Sequence, residues 1–216
     1  MVERASRPRV HLEDLAAGDR QDLVVGRRHD GVAWDGTDLG GERLLDRELV
    51  ECLLTEARLD DAVLTGTRLR ECRLDHCAAT TLRTDRADWR EVEVVDGRFG
   101  ALEAYDSELR LVSFTGCRLG YVNLRGSRVT DLTLEGCHVD DLDLADATVN
   151  RLTVVDCTVA RLLLNGASLR DVDLRGLDMD RLDEVSGDRF DGITVGADQL
   201  VALAPVLAAR LGISIA

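Results

Sequence analysis

With the exception of Thr84, every fifth residue from Leu39 to Met179 is of a type that belongs in a protein core, and neither an α-helix nor a β-strand has that period. Of the 29 positions in this frame, 26 are Leu, Val, Phe, Trp or Met; the other three are Ala79, Thr84 and Ala104. A second controlled site lies two residues before each centre. From Gly97 it alternates small and large: Gly97, Leu102, Ser107, Val112, Cys117, Val122, and onward to Val172. The remaining positions are mostly polar, charged or glycine. Two inward sites per five residues describe a narrow, tightly packed interior with a corner in every repeat.

A longer period lies on top of the short one. At intervals of twenty residues the second site keeps its own type. One column reads Leu82, Leu102, Val122, Leu142, Leu162, Leu182, and another Val92, Val112, Leu132, Leu152, Val172. Between them run two small columns, Cys77, Gly97, Cys117, Cys137, Cys157 and Ala87, Ser107, Ser127, Ala147, Ala167. Opposite walls are alike and neighbouring walls differ, so bulk from one pair of walls fills the space left by the other.

Units such as DATVN, GSRVT, GCRLG, GASLR and GLDMD resemble the pentapeptide-repeat family, whose repeat is written A-[DN]-L-x-x, over about two thirds of the chain. The resemblance implies an all-β solenoid, a right-handed quadrilateral parallel β-helix with four pentapeptides per square coil and a C-terminal α-helix. It implies about seven coils, a rod on the order of 35 Å at roughly 4.8 Å per coil. Arg98, Arg118, Arg128 and Thr153 replace the family's Asp or Asn, which puts the local turn hydrogen bonds in question there. The frame weakens over residues 78–88, where Thr84 is a poor core residue and a bent coil or bulged loop is expected.

Three segments are expected: a lead-in and cap over 1–33, the repeat body over 34–195, and a helix with a short strand over 196–216. DLVVG and VAWDG read as short strands, with Trp34 the first core residue. The beat slips by one at Phe190. Beyond it, Gly196 fits a helix N-cap with Gln199 at N3, and Gly212 fits C′. Leu200, Leu203, Ala204, Leu207 and Leu211 line one face, Pro205 kinks it, and ISIA adds a short strand. The face suits a cap on the last coil. It also suits a homodimer contact, the role such a segment has in some family members.

ECRLDHC, residues 71–77, looks like a metal site, but Cys72 and Cys77 fall on consecutive inward sites and His76 on an outward corner. No C-x-x-C, H-E-x-x-H, phosphate-binding loop or nucleophile elbow occurs. The six cysteines all occupy the small inward site and read as packing residues. The expectation is a protein that is not an enzyme, with no cofactor and no metal. The beginning of the chain lacks an apolar signal segment and no stretch suits a membrane span, so a cytoplasmic protein with no membrane contact is expected.

The charge is −14, from 41 acids and 27 arginines with no lysine, and residues 39–180 hold −10 of it. An acidic rod is steered towards basic partners and away from direct contact with nucleic acid. One corner column forms a candidate acidic ridge: Glu51, Glu71, Glu91, Asp131 and Asp171, interrupted by Leu111 and Arg151. Beside it runs an arginine ladder, Arg70, Arg90, Arg110 and Arg170, which would neutralise it in part. Some members of the family imitate B-form DNA, bind DNA gyrase or topoisomerase IV, and confer quinolone resistance. The resemblance therefore implies a non-catalytic binding protein, either a modulator of a type II topoisomerase or a general protein-interaction scaffold.

Overall fold

A computed structural model describes residues 2–182, 184–187, 189–210 and 212–213. The five-residue beat becomes a square coil. Strands of eight residues, such as Arg68–Asp75, Asp88–Val95, Glu108–Thr115 and Arg128–Glu135, each carry two walls separated by a corner. Strands of six, such as Ala78–Arg83, Arg98–Glu103 and Arg118–Asn123, carry the third wall and lead into the fourth. We number the walls 1 to 4 in chain order, by residues 68–70, 72–75, 78–80 and 82–85 of one coil. Every ladder is parallel, and residue i pairs with residue i + 20 from Arg28↔Glu48 to Thr158↔Asp178. The result is a 12-stranded and a 7-stranded sheet wound as one parallel solenoid.

Between walls 1 and 2 the residues at 51, 71, 91, 111, 131, 151 and 171 all have positive φ, between 51° and 61°. This left-handed conformation suits Gly, Asp and Asn and strains others. Between walls 4 and 1 the column reads Asp46, Gly66, Arg86, Asp106, Gly126, Asp146 and Gly166, so that each glycine stands one coil after an aspartate. A Cβ built on Gly126 would stand 2.4 Å from Asp106 Oδ1, and one on Gly166 2.3 Å from Asp146 Oδ1. At those corners the carboxylate stacked on the glycine leaves no room for a Cβ, and the left-handed backbone favours glycine as well.

Inside, the frame is a continuous core. The weak stretch over residues 78–88 contains no bend or bulge, contrary to expectation: Ala78–Arg83 pairs with Arg98–Glu103 without a break. Thr84 is buried with its Oγ1 unbonded. Large rings compensate for the small centres there. Trp89 and Phe114 stack with centroids 6.4 Å apart, and Phe99 lies in register beside Ala79. The small inward site has a polar task that its size alone does not reveal. Ser107 and Ser127 donate to Thr84 O (3.1 Å) and Ala104 O (2.9 Å), and Cys72, Cys117 and Cys137 donate in the same way to Leu49 O, Val94 O and Phe114 O. Each X–H group reaches a main-chain carbonyl of the preceding coil, so Ser, Thr and Cys are interchangeable there.

Both ends differ from expectation in detail. DLVVG is not a strand: Arg20–Val25 forms helix α1, because Asp19 caps it by accepting from Asp22 N at 2.8 Å and Leu23 turns into the core. VAWDG does supply a strand, Val32–Asp35, and Trp34 is fully buried, donating through Nε1 to Asp19 O. At the far end the register jumps to Leu162↔Val185 before settling at Val172↔Ile193. A 3-10 turn at Met179–Arg181 adds residues, so Val185, and not Leu182, continues the bulky column. Helix α2, Ala197–Arg210, follows. Gln199 Oε1 accepts from Gly196 N (2.7 Å) while its Nε2 donates to Leu174 O and Leu177 O (both 2.8 Å), which ties the helix to the last coil. Gly212 has φ 69° and Ile213 N donates to Ala208 O, a Schellman-type ending.

The amino-terminal segment was not foreseen as a structural element. Residues 3–7 run lengthwise over wall 2, across the coils, as a strap. Glu3 N donates to Asp171 Oδ1 (3.2 Å), Ala5 N to Thr153 Oγ1 (2.9 Å) and Ser6 N to Asp131 Oδ1 (2.8 Å). Arg4 pairs with Asp173 and Arg7 with Glu135. The chain then reaches the opposite end of the rod, where Ala16–Ala17 pairs with Val32–Ala33. Ser113, Thr133, Thr153 and Asp173 occupy outward positions of wall 2, yet all are buried.

Candidate functional site

The ridge acids share one corner column but not one environment. Glu51 and Glu71 are exposed and Glu91 half-buried, and none of the three side chains makes an ion pair or hydrogen bond among the described residues. The arginine ladder does not reach them: Arg90 pairs with Asp88, Arg110 with Glu108 and Arg170 with Asp171. Adjacent ridge carboxylates stand one coil apart, roughly 4.8 Å. One strand of DNA carries a charge about every 3.4 Å, so the row is somewhat sparser. Glu51 also belongs to a ring, since Asp46, Glu51, Glu56 and Asp61 occupy all four corners of their coil, each exposed.

The carboxy-terminal half of the ridge is engaged. Arg151 Nε and Nη2 donate to Asp131 Oδ1 and Oδ2, both at 2.7 Å, and the strap adds the Ser6 N–H. Asp131 is only 6% exposed. The Arg151 guanidinium and the strap hold its carboxyl below the usual carboxylate range. Asp171 accepts from Glu3 N and pairs with Arg170. These two residues hold the strap, whereas Glu51, Glu71 and Glu91 face outward.

In α2, Leu200, Leu203 and Leu207 line a cavity of about 110 Å³ over the last coil, with Leu164, Leu174 and Phe190 on its floor. Leu200 remains 50% exposed and Val201 75%, and Ala204 is exposed. Leu211 and all of ISIA except Ile213 lie outside the described residues.

The Cys72, His76 and Cys77 side chains do not converge. Both thiols are buried, while His76 stands exposed on a corner with Nδ1 2.5 Å from Asp75 Oδ1. Burial pushes Cys77 up to about 11, and the neighbouring Cys117 thiol together with burial takes Cys137 to about 11, so neither supplies a thiolate at neutral pH. No group of three or more His, Cys, Asp or Glu side chains suited to a metal occurs among the described residues, and none of their helices is long and apolar enough to cross a membrane. Where Asp or Asn keeps the family position the turn bond forms at Asp38, Asn123, Asp143, Asp173 and Asp178, as from Gly40 N to Asp38 and from Ala145 N to Asp143, whereas Asp88 accepts from Arg90 Nε instead. Arg98, Arg118 and Arg128 make no such bond, and Thr153 instead receives the strap.

Comparison with known proteins is informative about the repeat. A family model described as pentapeptide repeats (8 copies) matches residues 48–80. Among curated protein sequences none matches. Among solved structures, trypsin-treated QnrB1, a plasmid-mediated fluoroquinolone resistance protein, is 17% identical, with 93% of this chain and 95% of that one covered and a TM-score of 0.36. HetL, a pentapeptide repeat protein involved in heterocyst differentiation regulation from the cyanobacterium Nostoc sp. strain PCC 7120, is 16% identical, with 80% and 95% covered and a TM-score of 0.31. Similarity at that level establishes nothing about function. The five-residue beat, the coil register of twenty and the repeat model that matches residues 48–80 together make this chain a parallel solenoid similar to pentapeptide-repeat proteins.

Proposed function

We propose that the protein is a non-catalytic binding rod whose acidic amino-terminal coils engage a basic surface on a partner protein. The observation that carries this reading is the unpaired row Glu51, Glu71, Glu91, with the ring of acids at the corners of its first coil. Elsewhere the rod neutralises its own charge, as in Arg151–Asp131, Arg161–Asp141 and Arg175–Asp173. Unpaired like charges stacked coil on coil repel one another, and a basic partner relieves that cost.

The partner class we favour is a type II topoisomerase, DNA gyrase or topoisomerase IV, which binds the row in place of DNA phosphates, in the cytoplasm. Support comes from the −14 net charge and the rod form. A gyrase supercoiling assay with added protein tests it, with and without a quinolone. Inhibition or quinolone protection that falls away in the triple variant Glu51→Gln/Glu71→Gln/Glu91→Gln is expected. No effect at low salt rejects the topoisomerase and leaves the general scaffold, which pull-down from native lysate pursues. The exposed Val201 and the half-exposed Leu200 on α2 favour a homodimer through that helix, read by sedimentation equilibrium.

A further inference from the structure

Wall 3 carries a feature of opposite sign. Arg98, Arg118 and His138 stack in register on its outer surface, all exposed. None of the three side chains has an ion pair or hydrogen bond among the described residues, although ten of the eighteen arginines over residues 39–180 are in ion pairs. Nothing beside them supplies a counter-charge at mid-column. Gly100 and Gly120 lie on one side, where the same position holds Thr80 and Asp140 in flanking coils, and Gly116 and Gly136 lie on the corner side. Asp96, one coil before Gly116, is shared with His76, and Asp60 is occupied by Thr80. The glycines leave a shallow trough of about 610 Å³ with the wall's backbone as its floor. Like charges directly opposite on neighbouring strands are destabilising. Two stacked guanidinium groups with no paired carboxylate, on a rod of net negative charge, therefore mark a place where a ligand supplies the missing charge.

We propose that this trough is a docking track for an acidic, extended peptide segment of a partner protein, lying lengthwise over Arg98 and Arg118 with His138 at its end. The same molecule shows that the rod can hold a chain in this way. The strap runs lengthwise over wall 2 and advances two residues, Glu3 to Ala5, while its contacts move from Asp171 to Thr153, about one coil. That occupant is basic and rests on acids; wall 3 inverts the signs. A peptide rather than a nucleic acid fits the site, because the net charge of −14 repels a long polyanion and the unpaired column spans only about two coil spacings, roughly 10 Å. The track does not depend on the acidic row of the preceding section.

Fluorescence anisotropy with labelled octaglutamate at low salt tests the proposal, with an oligothymidylate of equal charge as competitor class. Substitution is confined to the arginines, since a Cβ on Gly120 would meet Gly100 O at 2.3 Å and disturb the stack itself. Octaglutamate should bind, weaken as salt rises, and lose about tenfold in affinity in Arg98→Gln/Arg118→Gln. Arg68→Gln, on wall 1, should leave binding unchanged. Failure of the wild-type protein to bind, undiminished binding in the double variant, or tighter binding of the oligothymidylate would each overturn it.

Discussion

Replacing Asp131 by Asn should loosen the strap without unwinding the rod. Asn accepts the left-handed corner that Asp131 occupies at φ 59°, so the backbone is spared. What changes is charge. Ser6 N–H donates to a carboxylate at 2.8 Å, and Asn offers it only a neutral oxygen. Hydrogen bonds to charged groups contribute about 1.5–3 kcal/mol and neutral ones about 0.5–1.5, a difference of roughly 1 kcal/mol. Arg151 also loses one of its two bonds to the corner, which lowers overall stability further but does not involve the strap. A loss of about 1 kcal/mol raises the open population of the strap roughly fivefold. Trypsin reads this directly. Arg4 lies within the strap and Arg9 just beyond it, and the bond after Arg7 is resistant because Pro8 follows, so cleavage after Arg4 reports opening. Where opening is fast relative to cleavage, the rate tracks the open population. Mass spectrometry should show the amino-terminal fragment released about fivefold faster from Asp131→Asn. Equal rates in the two proteins would refute the reasoning, as would wild-type cleavage at the rate of a free peptide.

Acid should act on the same clasp. The pKa values of Asp131 and Asp173 are depressed in the fold, chiefly by Arg151 and Arg175 respectively. Their contribution is therefore complete above the unfolded value of about 4 and is lost as pH falls through the lower folded values, so strap cleavage by an acid-tolerant protease such as pepsin should accelerate only below about pH 4. Cys117→Ser should unfold within about 1 kcal/mol of wild type in urea, because a hydroxyl does this task at Ser107 and Ser127, whereas Cys117→Val should cost about 1–3 kcal/mol through a lost donor and overpacking. Gln199→Ala strips the Leu174 and Leu177 carbonyls of their side-chain donor. Hydrogen exchange over residues 197–210 should quicken by about thirtyfold, for roughly 2 kcal/mol of lost docking, with the coils unchanged.

The body of the fold was legible because a square coil repeats one local problem, and twenty-residue columns in the sequence became ladder partners in space. Where the sequence misled, a local signal outweighed the beat or was hidden by it. DLVVG looked like a strand by composition, yet Asp19 supplies a helix cap and only Leu23 needs burial. Thr84 looked like a break, yet a coil held on both sides keeps its register and buries a hydroxyl. Leu182 continued its column on paper, but the turn at Met179–Arg181 displaced it. The strap carries no periodicity at all. Its signal lay on the receiving wall, where Ser113, Thr133 and Thr153 stand small and polar at outward positions among longer charged neighbours. The site was half legible for the same reason: a column shows which acids stack, but only the placement of the strap and of Arg151 separates the engaged pair, Asp131 and Asp171, from the open row.

The central claim is that Glu51, Glu71 and Glu91 present negative charge to a basic protein. It is tested most directly by binding of this protein to purified DNA gyrase at several salt concentrations, in competition with linear duplex DNA. The account predicts saturable binding that weakens with salt, displacement by the duplex, and loss of affinity in the triple Glu→Gln variant. Binding that neither the duplex nor the triple variant alters, or its absence at low salt, would contradict it.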